Sequence, residues 1–172
     1  MKKILIYGYG NPGRQDDGLG NAVVEMMEEW VREEGIENVE FDSNYQLNIE
    51  DAATISDKDL VIFVDASVED IEDFILTPVD ESAKVAFSSH SASPGYIVKL
   101  CNDLFNTQPA SYLLHIKGYE WEFMGGLTEK AKENLEKSLE LLKEKIRDPE
   151  ELISSFIYKL SINNKEKINN LI

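Results

Sequence analysis

The chain has 172 residues, with 33 acidic side chains against 17 basic ones and a formal net charge of −16. That balance argues against nucleic acid and anionic membrane surfaces as partners, because both need clustered Lys and Arg. Hydrophobic residues make up 42%, which suits one domain with a sizeable core, and the single Cys101 excludes an internal disulfide and a Cys-rich metal site, as in a reducing, cytoplasmic compartment.

Residues 4–7 form a near-continuous apolar run, the pattern of a strand buried on both faces. The run is too short for a signal-peptide core, and no segment approaches a membrane span. Residues 8–18 are rich in turn formers, including Gly10, Pro12 and Gly13. A helix is expected over 19–34, where Ala22, Val23, Met26, Met27, Trp30 and Val31 recur at helical spacing and Gly35 provides the stop. A short strand at 39–41 follows, then a short helix that Asn48 can cap, with Glu50 and Asp51 in its first turn.

Residues 60–64 are a third apolar strand, ending at Asp65-Ala66-Ser67. Shorter strands are expected at 74–76 and 83–87. Ser93-Pro94 predicts a helix start, with a hydroxyl cap and proline in the first turn. Another strand covers 112–116. Thr128 caps a long helix to about 147, whose apolar stripe is Ala131, Leu135, Leu139, Leu142 and Ile146. Alternating strands and helices imply an α/β fold with helices on both faces of the sheet. The domain is expected to span 1–148. Residues 149–172 form a C-terminal extension with a helix start at Asp148-Pro149-Glu150 and an Asn- and Lys-rich end that frays beyond Ser161.

Three polar segments each follow an expected strand: residues 10–18 with Asp16 and Asp17, residues 65–67 with Asp65, and residues 88–91 with His90. The carboxyl edge of an open α/β sheet is where ligands bind. Two carboxylates and an imidazole there suit a borderline divalent ion and leave coordination positions open. Each piece also has a plainer reading. Asp16 and Asp17 can serve the helix start, and Asp65 can be a turn residue. His115, inside an apolar strand, reads as a packed residue, and Cys101, on the apolar side of its helix, as packing.

Two other functions fit parts of the pattern. Gly8, Gly10 and Gly13 match the spacing of a dinucleotide-binding Rossmann fingerprint, with Asp42 ending the second strand. The acidic pair at the helix start opposes a pyrophosphate there. A receiver-like signalling domain would use Asp16, Asp17, Asp65, Ser88 and Lys117, but its acidic pair follows the first strand directly and His90 would have no role.

Taken together the residues resemble the hydrogenase maturation proteases. Gly8-Tyr9-Gly10-Asn11-Pro12, followed by Asp16-Asp17-Gly18-Leu19-Gly20, is similar to the family's N-terminal signature. Tyr45-Gln46-Leu47, Val61-Ile62-Phe63-Val64-Asp65-Ala66, Ser89-His90-Ser91, Gly118-Tyr119-Glu120 and Gly126-Leu127-Thr128 resemble later family segments in the same order. The resemblance covers residues 2–147. It implies a three-layer α/β/α sandwich on a mostly parallel mixed sheet. It also implies an endopeptidase that trims the C-terminus of a nickel-iron hydrogenase large-subunit precursor once nickel is in place. By the same resemblance Asp17, Asp65 and His90 ligate a divalent metal, the nickel supplied by the substrate. A carboxylate such as Asp16 or Asp17 is available as base. No Ser-His-Asp order or reactive-Cys motif suggests ordinary nucleophilic proteolysis.

Overall fold

A computed structural model describes residues 1–80 and 92–169. Its elements in order are β1 (Ile4–Tyr9), a 3-10 turn (Gln15–Gly18), α1 (Leu19–Glu34), β2 (Val39–Asn44), α2 (Asp51–Ile55), β3 (Leu60–Ser67), β4 (Phe74–Pro78), α3 (Pro94–Phe105), β5 (Ala110–Lys117), α4 (Glu129–Arg147) and α5 (Glu150–Asn169). The strands form one sheet in the order β2-β1-β3-β5-β4. All neighbours are parallel except β4, which runs antiparallel to β5 at the edge. This is the expected mixed, mostly parallel sheet.

Strand periodicity sorts the core into two faces. Ile4 and Ile6 of β1, with Leu60, Ile62 and Val64 of β3, pack against α1, α4 and α5. Leu5 and Tyr7, with Val61 and Phe63, face α2 and α3. The result is the three-layer sandwich.

Local chemistry explains most of the boundaries. Gly35 ends α1 in the left-handed conformation at φ 68°. Ser93 caps α3 by accepting the Tyr96 N–H at 3.2 Å, with Pro94 in the first turn. Thr128 caps α4 through the Ala131 N–H at 3.3 Å. Three expectations are corrected. β3 does not end at Val64 but runs through Asp65 to Ser67, because β5 pairs with it as far as Ser67↔Lys117. Asn48 does not cap α2 with its side chain; the Asp51 carboxylate instead accepts the Asn48 N–H at 2.7 Å. The last helix does not fray at Ser161 but continues to Asn169.

The start of α5 belongs to the main core. Leu152, Ile153 and Phe156 are buried with the α1 and α4 residues, and the Tyr112 hydroxyl donates to the Leu152 carbonyl at 2.8 Å. The strand expected at 83–87 lies outside the described residues. Among those described, no helix is long and apolar enough to cross a membrane.

Candidate active site at the β1 and β3 ends

The order β2-β1-β3 means that the chain leaves β1 to one side and then returns to its other side. The gap between the carboxyl ends of β1 and β3 is therefore a topological switch point, where parallel sheets bind ligands. Glycines let α1 close on this edge. A Cβ at Gly20 would stand 2.5 Å from the Val64 carbonyl oxygen and 2.7 Å from that of Tyr9. A Cβ at Gly10 would stand 1.9 Å from the Asp17 carbonyl oxygen, and Gly10 itself sits at φ 142°. The glycine run thus brings backbone against backbone at the helix start. Asp17 lies directly before Gly18 and α1, on the approach that a bound pyrophosphate would need.

Asp17 and Asp65 meet at this switch point. The Asp17 carboxylate accepts the Asn11 N–H at 3.1 Å. Asp65 follows the Gly8↔Val64 pair in register, which sets it beside Tyr9 on the face toward α2 and α3. Burial, and secondarily the negative charge of Asp17, push the Asp65 carboxyl up to about 7. Hydrogen bonds from Tyr9 and from the Ala66 N–H only partly offset them. Tyr9 is held well above the usual phenol range, first by burial and then by the Asp65 charge. The pair is therefore electrostatically uncomfortable. The Asp65 carboxylate is buried beside the negative charge of Asp17, a situation that a bound cation relieves. Tyr9 escaped the sequence reading because its alternation with Leu5 and Tyr7 marks only a face, and the polar partner lies on another strand.

Asp16 is placed differently. It is fully buried, and both oxygens are engaged. Oδ2 accepts the Tyr119 N–H at 2.8 Å, the Glu120 N–H at 3.2 Å and the Thr128 hydroxyl at 2.8 Å, while Oδ1 accepts the Thr128 N–H at 2.7 Å. This carboxylate joins the loop before α1 to the segment between β5 and α4. All four donors converge on the carboxylate that the sequence offers as a base. Gln15 reinforces the junction. Its N–H donates to the Met124 carbonyl at 2.9 Å, its Oε1 accepts the Glu122 N–H at 3.0 Å, and its Nε2 donates to Glu120 at 2.9 Å.

His90, with Ser88, Ser89 and Ser91, lies outside the described residues. Among the described residues no group of three or more His, Cys, Asp or Glu is arranged to hold a metal ion. His115 is packed in β5, paired with Thr77 Oγ1 at 3.2 Å, and its pKa is lowered by burial. Cys101 is buried in α3. Two shallow grooves adjoin the site loop and share Pro12 and Asn21, but neither is lined by Asp17 or Asp65.

The fold is that of solved hydrogenase maturation proteases. The [NiFe] hydrogenase maturation protease HycI from Thermococcus kodakarensis KOD1 aligns with a TM-score of 0.69 at 24% identity, over 86% of this chain and 94% of that one. The hydrogenase maturating endopeptidase HybD from E. coli gives 0.66 at 19% identity, over 86% and 93%. HybD from Thermococcus kodakarensis, a [NiFe] hydrogenase maturation protease, gives 0.57 at 18% identity, over 83% and 97%. No family model matches the chain, and no curated protein matches it by sequence. The likeness at these identities is one of fold.

Proposed function

We propose that this chain is an endopeptidase that removes the C-terminal peptide of a nickel-iron hydrogenase large-subunit precursor, and that it acts by recognising nickel already bound there. The observation that carries the reading is the convergence of Asp17 and Asp65 at the β1 and β3 switch point. It occurs on a fold shared with solved hydrogenase maturation proteases.

In this reading Asp17, Asp65 and His90 ligate the nickel that the precursor carries. The metal is part of the substrate, and it either polarises the scissile carbonyl or positions the bond. Two crowded carboxylates attract a dication, yet three protein ligands without thiolate do not make a tight, closed site. Recognition is then strong only when metal and precursor arrive together, which makes nickel a checkpoint. Where the metal only positions the bond, Asp17, whose Oδ2 accepts the Asn11 N–H at 3.1 Å, is the carboxylate that takes the proton at the scissile bond. Asp16 holds the surrounding loops. This activity belongs in the cytoplasm, where the precursor is made.

The test compares purified chain acting on nickel-loaded and on nickel-free precursor. Cleavage of the loaded form alone is expected, and equal rates on both would sink the checkpoint. Asp17→Asn, Asp65→Asn and His90→Ala should each abolish processing with circular dichroism unchanged. Full activity in any of them removes that residue from the site.

A further inference from the structure

Single apolar side chains scattered over a surface need no explanation. Phe123 and Met124 differ because their backbone is fixed. They are 83% and 58% exposed, in the segment between β5 and α4. The Met124 carbonyl accepts from Gln15, the Glu122 N–H donates to Gln15, and the Trp121 carbonyl accepts from Arg14 Nη2 at 3.3 Å. The Arg14 guanidinium lies 4.9 Å from the centroid of the Phe123 ring, close enough for a cation–π contact. Gln15 takes the left-handed backbone at φ 44° to make its bonds, a conformation that costs a non-glycine residue about 1 kcal/mol. The fold therefore holds two large apolar groups in water, at a set place, on a segment bonded to Arg14 and Gln15 of the loop that carries Asp17.

Such an arrangement lowers the ordering penalty of binding, because the loop is already in place before a partner arrives. The charge around it defines the partner. Glu120 and Glu122 precede the pair, no Lys or Arg occurs between residues 118 and 129, and the neighbouring cation, Arg14, is engaged with the Phe123 ring and the Trp121 carbonyl. Glu25 lines the adjoining groove with Gly126 and Leu127, a space of about 200 Å³. An extended segment with apolar and basic side chains complements this surface.

We propose that Phe123 and Met124, held outward by Arg14 and Gln15, are the docking surface for the substrate polypeptide and receive an apolar, positively charged segment beside the bond that is cut. This rests on the endopeptidase reading above. The surface lies outside the metal-binding residues, so binding and bond cleavage separate experimentally.

The experiment measures steady-state cleavage of nickel-loaded precursor by wild type, by the double variant Phe123→Ser/Met124→Ser and by Glu122→Gln. Both Phe123 and Met124 are exposed, so the fold survives their replacement, as circular dichroism would verify. The double variant should raise KM about tenfold or more with kcat within about twofold. Glu122→Gln should raise KM several-fold at low salt and weaken its salt dependence. Unchanged KM in both variants, beside a wild type that cuts the precursor, overturns the docking surface. A fall in kcat alone also overturns it and makes the loop a support of the catalytic site. So does a wild-type dimer that the double variant dissolves without change in KM, since the occupant is then a second copy. A wild type that cuts no loaded precursor removes the endopeptidase reading itself.

Discussion

The Asp16 carboxylate takes both the hydroxyl and the backbone N–H of Thr128, at 2.8 and 2.7 Å, across 112 positions of sequence. Thr128 is also the cap of α4. One buried carboxylate therefore fixes the start of a helix on the outer layer to the residue before Asp17.

Asp16→Ala is accordingly expected to act on stability. It leaves the part-buried N–H groups of Tyr119, Glu120 and Thr128 without their acceptor, at about 1–3 kcal/mol for each that water does not reach. A total loss of about 3–5 kcal/mol should appear in urea denaturation. Asp16→Asn should lose less, since one amide oxygen remains an acceptor. A change under about 0.5 kcal/mol for Asp16→Ala would show that the loop re-forms its bonds elsewhere.

Asp65 should make stability depend on pH with a definite sign. Its carboxyl titrates near 7 in the folded chain, above the ordinary 3.8. The folded state thus binds the proton more tightly, and this contribution is full below the unfolded value and lost as pH rises through about 7. Asp65→Asn removes the dependence. The variant should match wild type near pH 4 and exceed it near pH 8 by on the order of 4 kcal/mol, while failing to process precursor. Thermal or urea denaturation at the two pH values measures this. An Asn variant less stable than wild type at pH 8 would show that the Tyr9 and Ala66 hydrogen bonds outweigh burial.

Where local chemistry decides, the chain is legible. The helix over 19–34 follows from its apolar spacing and Gly35, and the cap of α3 from Ser93-Pro94. The edge bearing Asp17 and Asp65 follows from strand ends alone. What escaped depends on partners distant in sequence. β3 extends through Asp65 because β5 pairs with it, an override of the turn-like Asp65-Ala66-Ser67. The bonds of Arg14, Gln15 and Asp16 to the 118–128 segment have no local signature, because each partner lies more than a hundred residues away. The buried start of α5 was hidden by its mixed composition, in which Leu152, Ile153 and Phe156 alternate with Ser and Glu.

Gly20→Ala tests whether the glycine run serves packing. A methyl there meets the Val64 carbonyl oxygen at 2.5 Å and the Tyr9 nitrogen at 2.8 Å, both backbone atoms of central strands. Neither can move aside alone, so α1 must lift from the sheet. The expected loss is about 2–4 kcal/mol, read from urea denaturation, although alanine favours helix over glycine by about 1 kcal/mol. Unchanged stability would mean that α1 shifts freely at its start.

Two truncations separate the halves of α5. A chain ending after Ser161 keeps Leu152, Ile153, Phe156 and Leu160, which are the apolar contacts that α5 makes with the main core. It should fold with stability within about 1 kcal/mol of the full chain and process precursor at a similar rate. A chain ending after Asp148 loses all four side chains and leaves the Tyr112 hydroxyl without the Leu152 carbonyl. Burial of each large apolar side chain contributes about 1.5–3 kcal/mol. Three buried ones therefore sum to about 5 kcal/mol or more, which is comparable with the whole stability of a domain this size. The shorter chain should be unfolded or aggregated when expressed, as circular dichroism and gel filtration would show. A cooperatively folded, active 148-residue chain would mean that α5 only covers a core already complete without it. A chain ending at Ser161 that folds but no longer cuts would instead make the far half of α5 a contact for the precursor.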